Sequence, residues 1–188
     1  MPSPQKAKGS GFEREVARFL SELYGESFIR APGSGAYVGG KNQVRKEVLH
    51  EGQIRSFKGD VVPGQSFKRM NIECKFYADF PFHLVLAGDC KVLDGWLEQM
   101  MAVAEPEDLN MLFMKFNRKG RFVVVPTNVT WVTDQFLYYT SKHGDWVIIE
   151  FDHFFKLNKD IVKTYSGSKD TTSTSPSNIL NITTTKVI

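Results

Sequence analysis

The spacing of apolar residues predicts a helix near the start of the chain. In SGFEREVARFLSELYG (10–25), apolar side chains recur three or four positions apart, as they do on one face of an amphipathic helix. Ser10 is expected to cap this helix with Glu13 as its capping-box partner, and Gly25 is expected to end it. A short strand, SFIR (27–30), follows.

Apolar and polar residues alternate in MNIECKF (70–76), which predicts a strand. Successive strand side chains point to opposite faces, so Asn71, Glu73 and Lys75 share one face and the apolar residues share the other. The pattern alone favours a half-buried strand whose polar face is solvated. The preceding DVV (60–62) is expected to pair with this strand through the turn-forming PGQS (63–66).

Further elements follow MNIECKF along the chain. LDGWLEQMMAVA (93–104) predicts a helix whose Trp96 and Met100 belong to the core. NMLFMKF and RFVVV, joined by the turn NRKG, predict a hairpin over 110–125. FLYYT (136–140), DWVIIEF (145–151) and a short FDHFFKL element (151–157) complete the ordered part of the chain.

Two stretches differ in composition from the predicted elements. Residues 36–59 are basic and punctuated by glycine, and a stretch of this length is expected to form a functional inserted arm or loop. Residues 165–188 are rich in Ser and Thr and poor in apolar residues, which predicts a disordered tail. The remaining chain, 1–164, is long enough for one domain with a single core.

Charge and cysteine usage narrow the class of protein. The 188 residues carry a net charge of only +3, but the basic residues concentrate before MNIECKF, which suggests a nucleic-acid partner. Two cysteines without a CxxC motif argue against a disulfide framework or a thiolate zinc site. The four histidines share no metal-binding spacing. Since neither a signal peptide nor a long apolar run is visible, we expect a soluble intracellular protein with no membrane partner.

Glu73 and Lys75 gain a chemical interpretation once a second carboxylate is found. Hydrolysis of a phosphodiester with a hard divalent ion needs at least two carboxylates to hold the ion and a nearby group to position the attacking water. Asp60 opens the strand expected beside MNIECKF, so its carboxylate can reach that of Glu73. Mg²⁺ suits two such acids. Lys75 would orient the water or stabilise developing negative charge.

Taken together, these residues resemble the core of PD-(D/E)XK nucleases. GD at Gly59 and Asp60, followed by IECK (72–75), matches the family pattern, with Gly59 standing where the name-giving proline often stands. KGSGFEREVARFL (8–20), RAPGSGA (30–36), GD and IECK occur in the order of archaeal-type Holliday-junction resolvases and their phage relatives. The resemblance implies a restriction-endonuclease-like α/β core, with a mixed, mostly antiparallel central sheet flanked by helices.

The resemblance also implies roles for the matching acids and the lysine. Glu13, Asp60 and Glu73 match the metal-binding residues, and Lys75 matches the catalytic lysine. The implied cofactor is Mg²⁺, with Mn²⁺ expected to substitute for it. The alternative for Glu13 is a purely structural role as the capping partner of Ser10.

A mobile loop near the scissile phosphate is a further feature that the resemblance implies. Arg30 and Ser34 match its basic and hydroxylic positions, although Ser34 is also a common turn former. The expected DNA contacts are Lys8, Arg14, Arg30, Ser34, Lys41, Arg45 and Lys46. The chain departs from the family in the long stretch 36–59 and in the link FYADFPFHLVLAGDCKV (76–92), and both departures bear on substrate choice more than on chemistry.

The implied activity is that of a structure-selective, magnesium-dependent DNA endonuclease. It would cut four-way junctions to leave 5′-phosphate and 3′-hydroxyl ends, and a junction with two cleavage points favours a C2 homodimer. The resemblance to phage enzymes adds the cytoplasm of a phage-infected cell as a setting. One alternative is a nuclease of the same fold that acts on linear or nicked duplex DNA, and another is a DNA-binding module with a vestigial site.

A P-loop nucleotide-binding protein is a more remote alternative. GAYVGGK (35–41) satisfies most of the phosphate-binding motif, and LVLAGD (84–89) imitates the apolar strand and acid that follow it in nucleotide hydrolases. The motif fails at Asn42, which replaces the Ser or Thr whose hydroxyl binds Mg²⁺. ATP binding that depends on Lys41 would favour this alternative.

Overall fold

The computed structural model describes residues 4–32 and 58–167, with side chains from residue 8 onward. Ser34, Lys41, Arg45, Lys46 and the GAYVGGK motif lie outside the described residues. Of the arm predicted over 36–59, only Lys58 and Gly59 are described, and of the predicted tail only residues 165–167. Within the described ranges, no helix is both long and apolar enough to cross a membrane.

A central sheet of five strands organises the fold. The strands are β3 Met70–Tyr77, β4 Leu109–Phe116, β5 Gly120–Pro126, β6 Leu137–Ser141 and β7 Gly144–Glu150. They lie in the order β3-β4-β5-β7-β6. Strands β3 and β4 are parallel, and the other neighbouring pairs are antiparallel. The predicted α/β class, with a mixed and mostly antiparallel sheet, is confirmed.

Helices cover both faces of this sheet. They are α1 Pro4–Tyr24, α2 Phe82–Leu86, α3 Lys91–Met101 and α4 Phe151–Ser166. Apolar residues of α1 and α4 pack with one face of the sheet in a first core cluster. Residues of α2 and α3, including Trp96 and Met100, pack with the opposite face in a second cluster. Both of these α3 residues belong to the core, as predicted.

A small ribbon beside the main sheet replaces the predicted pairing of DVV with MNIECKF. Strand β2 (Val61–Val62) pairs antiparallel with β1 (Ile29–Arg30) rather than with β3. The PGQS segment does not form a hairpin turn, because Gln65–Phe67 is a 3-10 helix whose Phe67 is fully buried. The β3 edge instead receives a single backbone bond from Asp60, so the chain reaches β3 by docking and not by strand pairing.

The two terminal helices are longer than the apolar pattern indicates. Helix α1 begins at Pro4, so Ser10 lies within the helix and the predicted N-cap is wrong. Gly25 does end the helix, since it has φ of 68° and its N–H donates to the Ser21 carbonyl. The short FDHFFKL element is a 16-residue helix, α4, whose first turn is capped by the Glu150 carboxylate. The predicted tail boundary therefore falls inside α4.

Candidate active site

Glu73 and Lys75 lie on the face of β3 that is covered by α3, and the prediction of a solvated polar face is wrong. Glu73 is 2% exposed and Asn71 is fully buried. Asn71 donates to the Met100 carbonyl of α3 and to the Asn110 side chain of β4. Because the polar residues are shielded by a helix, a carboxylate here is expensive to ionise unless a cation lies close to it.

Asp60 reaches β3 through an unusual approach of the backbone at Gly59. Gly59 has φ of +68°, and a Cβ atom at this position would lie 2.4 Å from the Ile72 carbonyl oxygen. The Asp60 N–H donates to that same oxygen at 2.7 Å. The Asp60 carboxylate in turn accepts from the Cys74 N–H at 2.8 Å. These two hydrogen bonds, to the Ile72 carbonyl and from the Cys74 N–H, thus fix Asp60 at the edge of β3 next to Cys74.

Lys75 is held between a strand and a helix. Its Nζ atom donates to Oε1 of Glu73 at 2.6 Å and to Oε1 of Gln99 at 2.7 Å. Gln99 belongs to α3, which brings a neutral acceptor to the ammonium group. The Lys75 side chain is 12% exposed, so most of its length is packed while its position is set by two acceptors. Gln99 is the functional candidate that the sequence motif does not include.

Glu13 and Arg30 form a second pair beside these residues. Nε of Arg30 donates to Oε2 of Glu13 at 2.5 Å, which joins α1 to the small ribbon. The side chain of Glu13 is 11% exposed and that of Arg30 is 28% exposed. Arg30, predicted as a contact to the scissile phosphate, is thus held by the acid that the family pattern brings to the site.

The charges of Asp60, Lys75 and Glu13 all act on the carboxyl group of Glu73. Burial raises the pKa of Glu73 to about 7, and the negative charges of Asp60 and then Glu13 act in the same direction. Lys75 acts against this shift through its charge and its hydrogen bond, but it does not overcome it. The carboxyl group of Glu73 is therefore poised to titrate near neutral pH in the protein without a bound cation.

The oxygen donors at this site fit a hard divalent cation. Asp60 and Glu73 supply neighbouring carboxylates, and Mg²⁺ is commonly bound by one or two carboxylates together with several waters. In the described part of the chain, no three His, Cys, Asp or Glu side chains form a ready group that could hold a metal ion. Asp60 and Glu73 could hold such an ion, and the metal-ligand roles of Glu13, Asp60 and Glu73 all stay predictions.

The described residues predicted to contact DNA differ in their surroundings. Lys8 and Arg14 are exposed on α1, whereas Arg30 is paired with Glu13. Lys58, one of the cations of the predicted arm, is buried and paired with Asp108, with Glu105 3.2 Å away. Lys58 therefore anchors the end of the arm and is not free to contact phosphates.

LVLAGD does not form the strand that a P-loop protein would need after its phosphate-binding loop. Its first three residues lie in α2, between β3 and α3. In the described residues, this segment therefore does not form the apolar strand that would support the nucleotide-binding alternative.

The sheet order, the flanking helices and the acid-lysine arrangement on β3 define a protein with a restriction-endonuclease-like fold. Residues 4–164 match the family model described as "Phage putative PDDEXK endonuclease", and the chain belongs to this family. It is therefore a nuclease of the PD-(D/E)XK superfamily, whose members typically use divalent metals and act on DNA. No curated protein and no solved structure is detectably similar to the chain.

Proposed function

We propose that the protein is a structure-selective, metal-dependent DNA endonuclease that resembles Holliday-junction resolvases. It hydrolyses phosphodiesters and leaves a 5′-phosphate and a 3′-hydroxyl. The observation that carries the proposal is the convergence of Asp60, Glu73 and Lys75 on one stretch of β3, with two hydrogen bonds fixing Asp60. The selectivity for branched DNA is supported by the order of the motifs along the chain.

Each residue of the site has a distinct part in the proposed reaction. Asp60 and Glu73 would hold Mg²⁺, or Mn²⁺ in its place, and this ion would supply Lewis-acid chemistry at the scissile phosphate. Lys75 keeps its ammonium group fixed through Glu73 and Gln99, so it can stabilise negative charge that develops on the phosphate. Arg30, oriented by Glu13, provides a second positive group for the DNA backbone.

The exposed cations are the proposed source of DNA affinity. Lys8 and Arg14 on α1 contact phosphates in this proposal, together with Ser34 and the arm residues Lys41, Arg45 and Lys46. Such contacts displace counterions, which makes binding strongly dependent on salt. A C2 homodimer acting in the cytoplasm, for instance of a phage-infected cell, would present two active sites to a four-way junction.

Cleavage of three matched DNAs tests the proposal directly. Four-way, Y-shaped and linear duplexes of shared sequence are incubated with the full chain and Mg²⁺, and parallel reactions contain EDTA. Paired nicks near the crossover of the four-way junction support a resolvase-like activity. Equal cutting of the linear duplex would assign the protein to the alternative nuclease class, and DNA binding without cleavage of any substrate would favour a binding module.

Substitutions at the site separate metal binding from catalysis. Asp60→Ala and Glu73→Ala should lower cleavage by orders of magnitude while junction binding persists, because binding depends mainly on phosphate contacts. Lys75→Ala should lose cleavage with Mg²⁺ affinity preserved. Glu22→Ala is the matched control, since Glu22 is an exposed acid of α1 whose described ion-pair partner is Arg18. Wild-type cleavage by either of the first two variants would contradict the site assignment.

A further inference from the structure

We propose that a groove beside Lys75 binds an unpaired nucleotide of the DNA substrate. The proposal rests on the proposed nuclease function and specifies which DNA the site accepts. The groove has a volume of about 420 Å³ and lies between Lys8 and Gly9 of α1 and residues 74–78 at the end of β3. Lys75 is part of its wall, so a nucleotide bound there would lie beside the proposed reaction centre.

The position of β3 in the sheet explains why this groove exists. Strand β3 lies at one edge of the five-stranded sheet. Its edge is covered at Ile72, whose carbonyl accepts from the Asp60 N–H, and at Cys74, whose N–H donates to the Asp60 carboxylate. The groove begins at Cys74, where this cover ends, and continues past Tyr77. The same docking that fixes Asp60 therefore defines one end of the groove.

Aromatic and cationic groups give the groove the chemistry of a single-strand binding site. Tyr77 lines the groove and is 50% exposed, and its ring lies 5.0 Å from that of Trp96, which supports it. Nζ of Lys8 lies 6.0 Å from the centre of the Phe76 ring on the opposite wall. Proteins that bind single strands combine aromatic stacking surfaces with cations that track the phosphate backbone.

The size and exposure of the groove favour an unpaired nucleotide over an intact duplex. Its volume falls within the range of about 300–1,000 Å³ that is typical of small-molecule sites. A base in a duplex is stacked and paired, and it reaches a pocket only after it leaves the helix. DNA with an unpaired nucleotide next to the cut, as at a bulge, a flap or a junction core, avoids this cost. The groove thus supplies a physical reason for structure selectivity.

Binding without catalysis tests the groove separately from the nuclease activity. The full chain is titrated in EDTA against a fluorescent duplex with a single-nucleotide bulge and against the fully paired duplex of the same sequence. A 2-aminopurine at the bulge reports stacking by loss of its fluorescence. Tyr77→Ala should weaken binding of the bulged DNA about tenfold and abolish the quenching, because stacking on one aromatic side chain contributes about that much.

Matched variants distinguish stacking from a general loss of affinity. Tyr77→Phe should retain bulge binding, since it keeps the ring. Lys8→Ala should weaken binding of the bulged DNA more than that of the paired DNA. Tyr138→Ala is the control, because Tyr138 is 52% exposed on β6 at the opposite edge of the sheet. Unchanged bulge binding and quenching by Tyr77→Ala, or equal weakening by Tyr77→Ala on the bulged and the paired DNA, would overturn the proposal.

The two proposals fail in different ways. If wild-type protein cleaves DNA and Asp60→Ala does not, while Tyr77→Ala binds and quenches the bulged DNA like wild type, the nuclease function stands and the groove proposal fails. If no DNA is cleaved but bulge binding depends on Tyr77, the groove proposal stands and the proposed nuclease function fails.

Discussion

Replacing Gly59 with alanine tests whether the close docking of the chain on β3 positions Asp60. The substitution adds one methyl group at a residue with φ of +68°. In that conformation the new Cβ would lie 2.4 Å from the Ile72 carbonyl oxygen, whereas real Cβ contacts essentially never fall below 3.0 Å. The segment and β3 must therefore separate by at least about 0.6 Å, the difference between those two distances.

The expected cost has two parts. A left-handed backbone conformation disfavours alanine relative to glycine by about 1 kcal/mol. The separation also weakens the bond from the Asp60 N–H to Ile72, which is now 2.7 Å long, and loss of such a bond costs about 1 kcal/mol, with more if a buried group is left unsatisfied. The sum is about 2–3 kcal/mol, which lowers the Tm of a domain of this size by about 5–10 °C.

Gly25→Ala is the matched control for this experiment. Gly25 also has φ of +68°, but a Cβ atom there meets nothing within 4 Å. The control thus carries the conformational cost of about 1 kcal/mol without the contact. The difference in free energy of unfolding between the two variants isolates the close approach to β3.

Stability and cleavage are measured on both variants. We expect Gly59→Ala to unfold at lower urea concentration than Gly25→Ala, and to lose most of its metal-dependent cleavage because the Asp60 carboxylate is displaced from Glu73. Gly25→Ala should cleave like wild type. Equal stability of the two variants, or full activity of Gly59→Ala, would refute the reasoning that docking at Gly59 positions the acid.

Three further predictions address charge. In metal-free protein the pKa of Glu73 is raised from 4.5 to about 7, so the contribution of this carboxyl group to stability is fully present below pH 4.5 and is lost as pH rises through 7. Thermal melts of Glu73→Gln should therefore show a smaller decline in Tm over this pH range than wild type, and identical slopes would contradict this. Asp108→Ala should lower the free energy of unfolding by about 3 kcal/mol in urea titrations, because the buried ammonium of Lys58 keeps only the more exposed Glu105 as its partner. Adding Lys58→Met should recover part of this lost stability. Neutralising the arm residues Lys41, Arg45 and Lys46 together should weaken DNA binding and flatten its salt dependence with little change in Tm. An unchanged dependence of DNA affinity on salt concentration would exclude the arm as the DNA contact.

Local patterns predict most of the sheet and of the α3 helix correctly. The β4-β5 hairpin follows from apolar runs on both sides of NRKG, and β6 and β7 follow from similar runs. The error at α1 has a local cause as well. Its polar first turns carry no apolar stripe, so the periodic signal begins at Phe12 although the helix begins at Pro4.

The candidate site is only partly encoded in local patterns. The spacing of Asp60, Glu73 and Lys75 identifies the three groups that the structure brings together. The helical pattern of α3 suggests Gln99 only as a candidate for a supporting polar role, because its contact with Lys75 depends on how α3 lies across β3. The same long-range packing buries Glu73 and raises its pKa, whereas alternation alone predicts a solvated face.

Gly59 shows how a different residue at the first position of a motif changes the path of the backbone into the site. Proline fixes φ near −65° and has no N–H, whereas Gly59 adopts +68° and allows a backbone approach that any Cβ atom would block. Proline cannot adopt this conformation, so the chain must enter the site along a different path from one that carries proline. Along this path the Asp60 N–H donates to the Ile72 carbonyl, and the Asp60 carboxylate accepts from the Cys74 N–H. In this chain the first position of the motif therefore acts through the close backbone contact that a glycine permits.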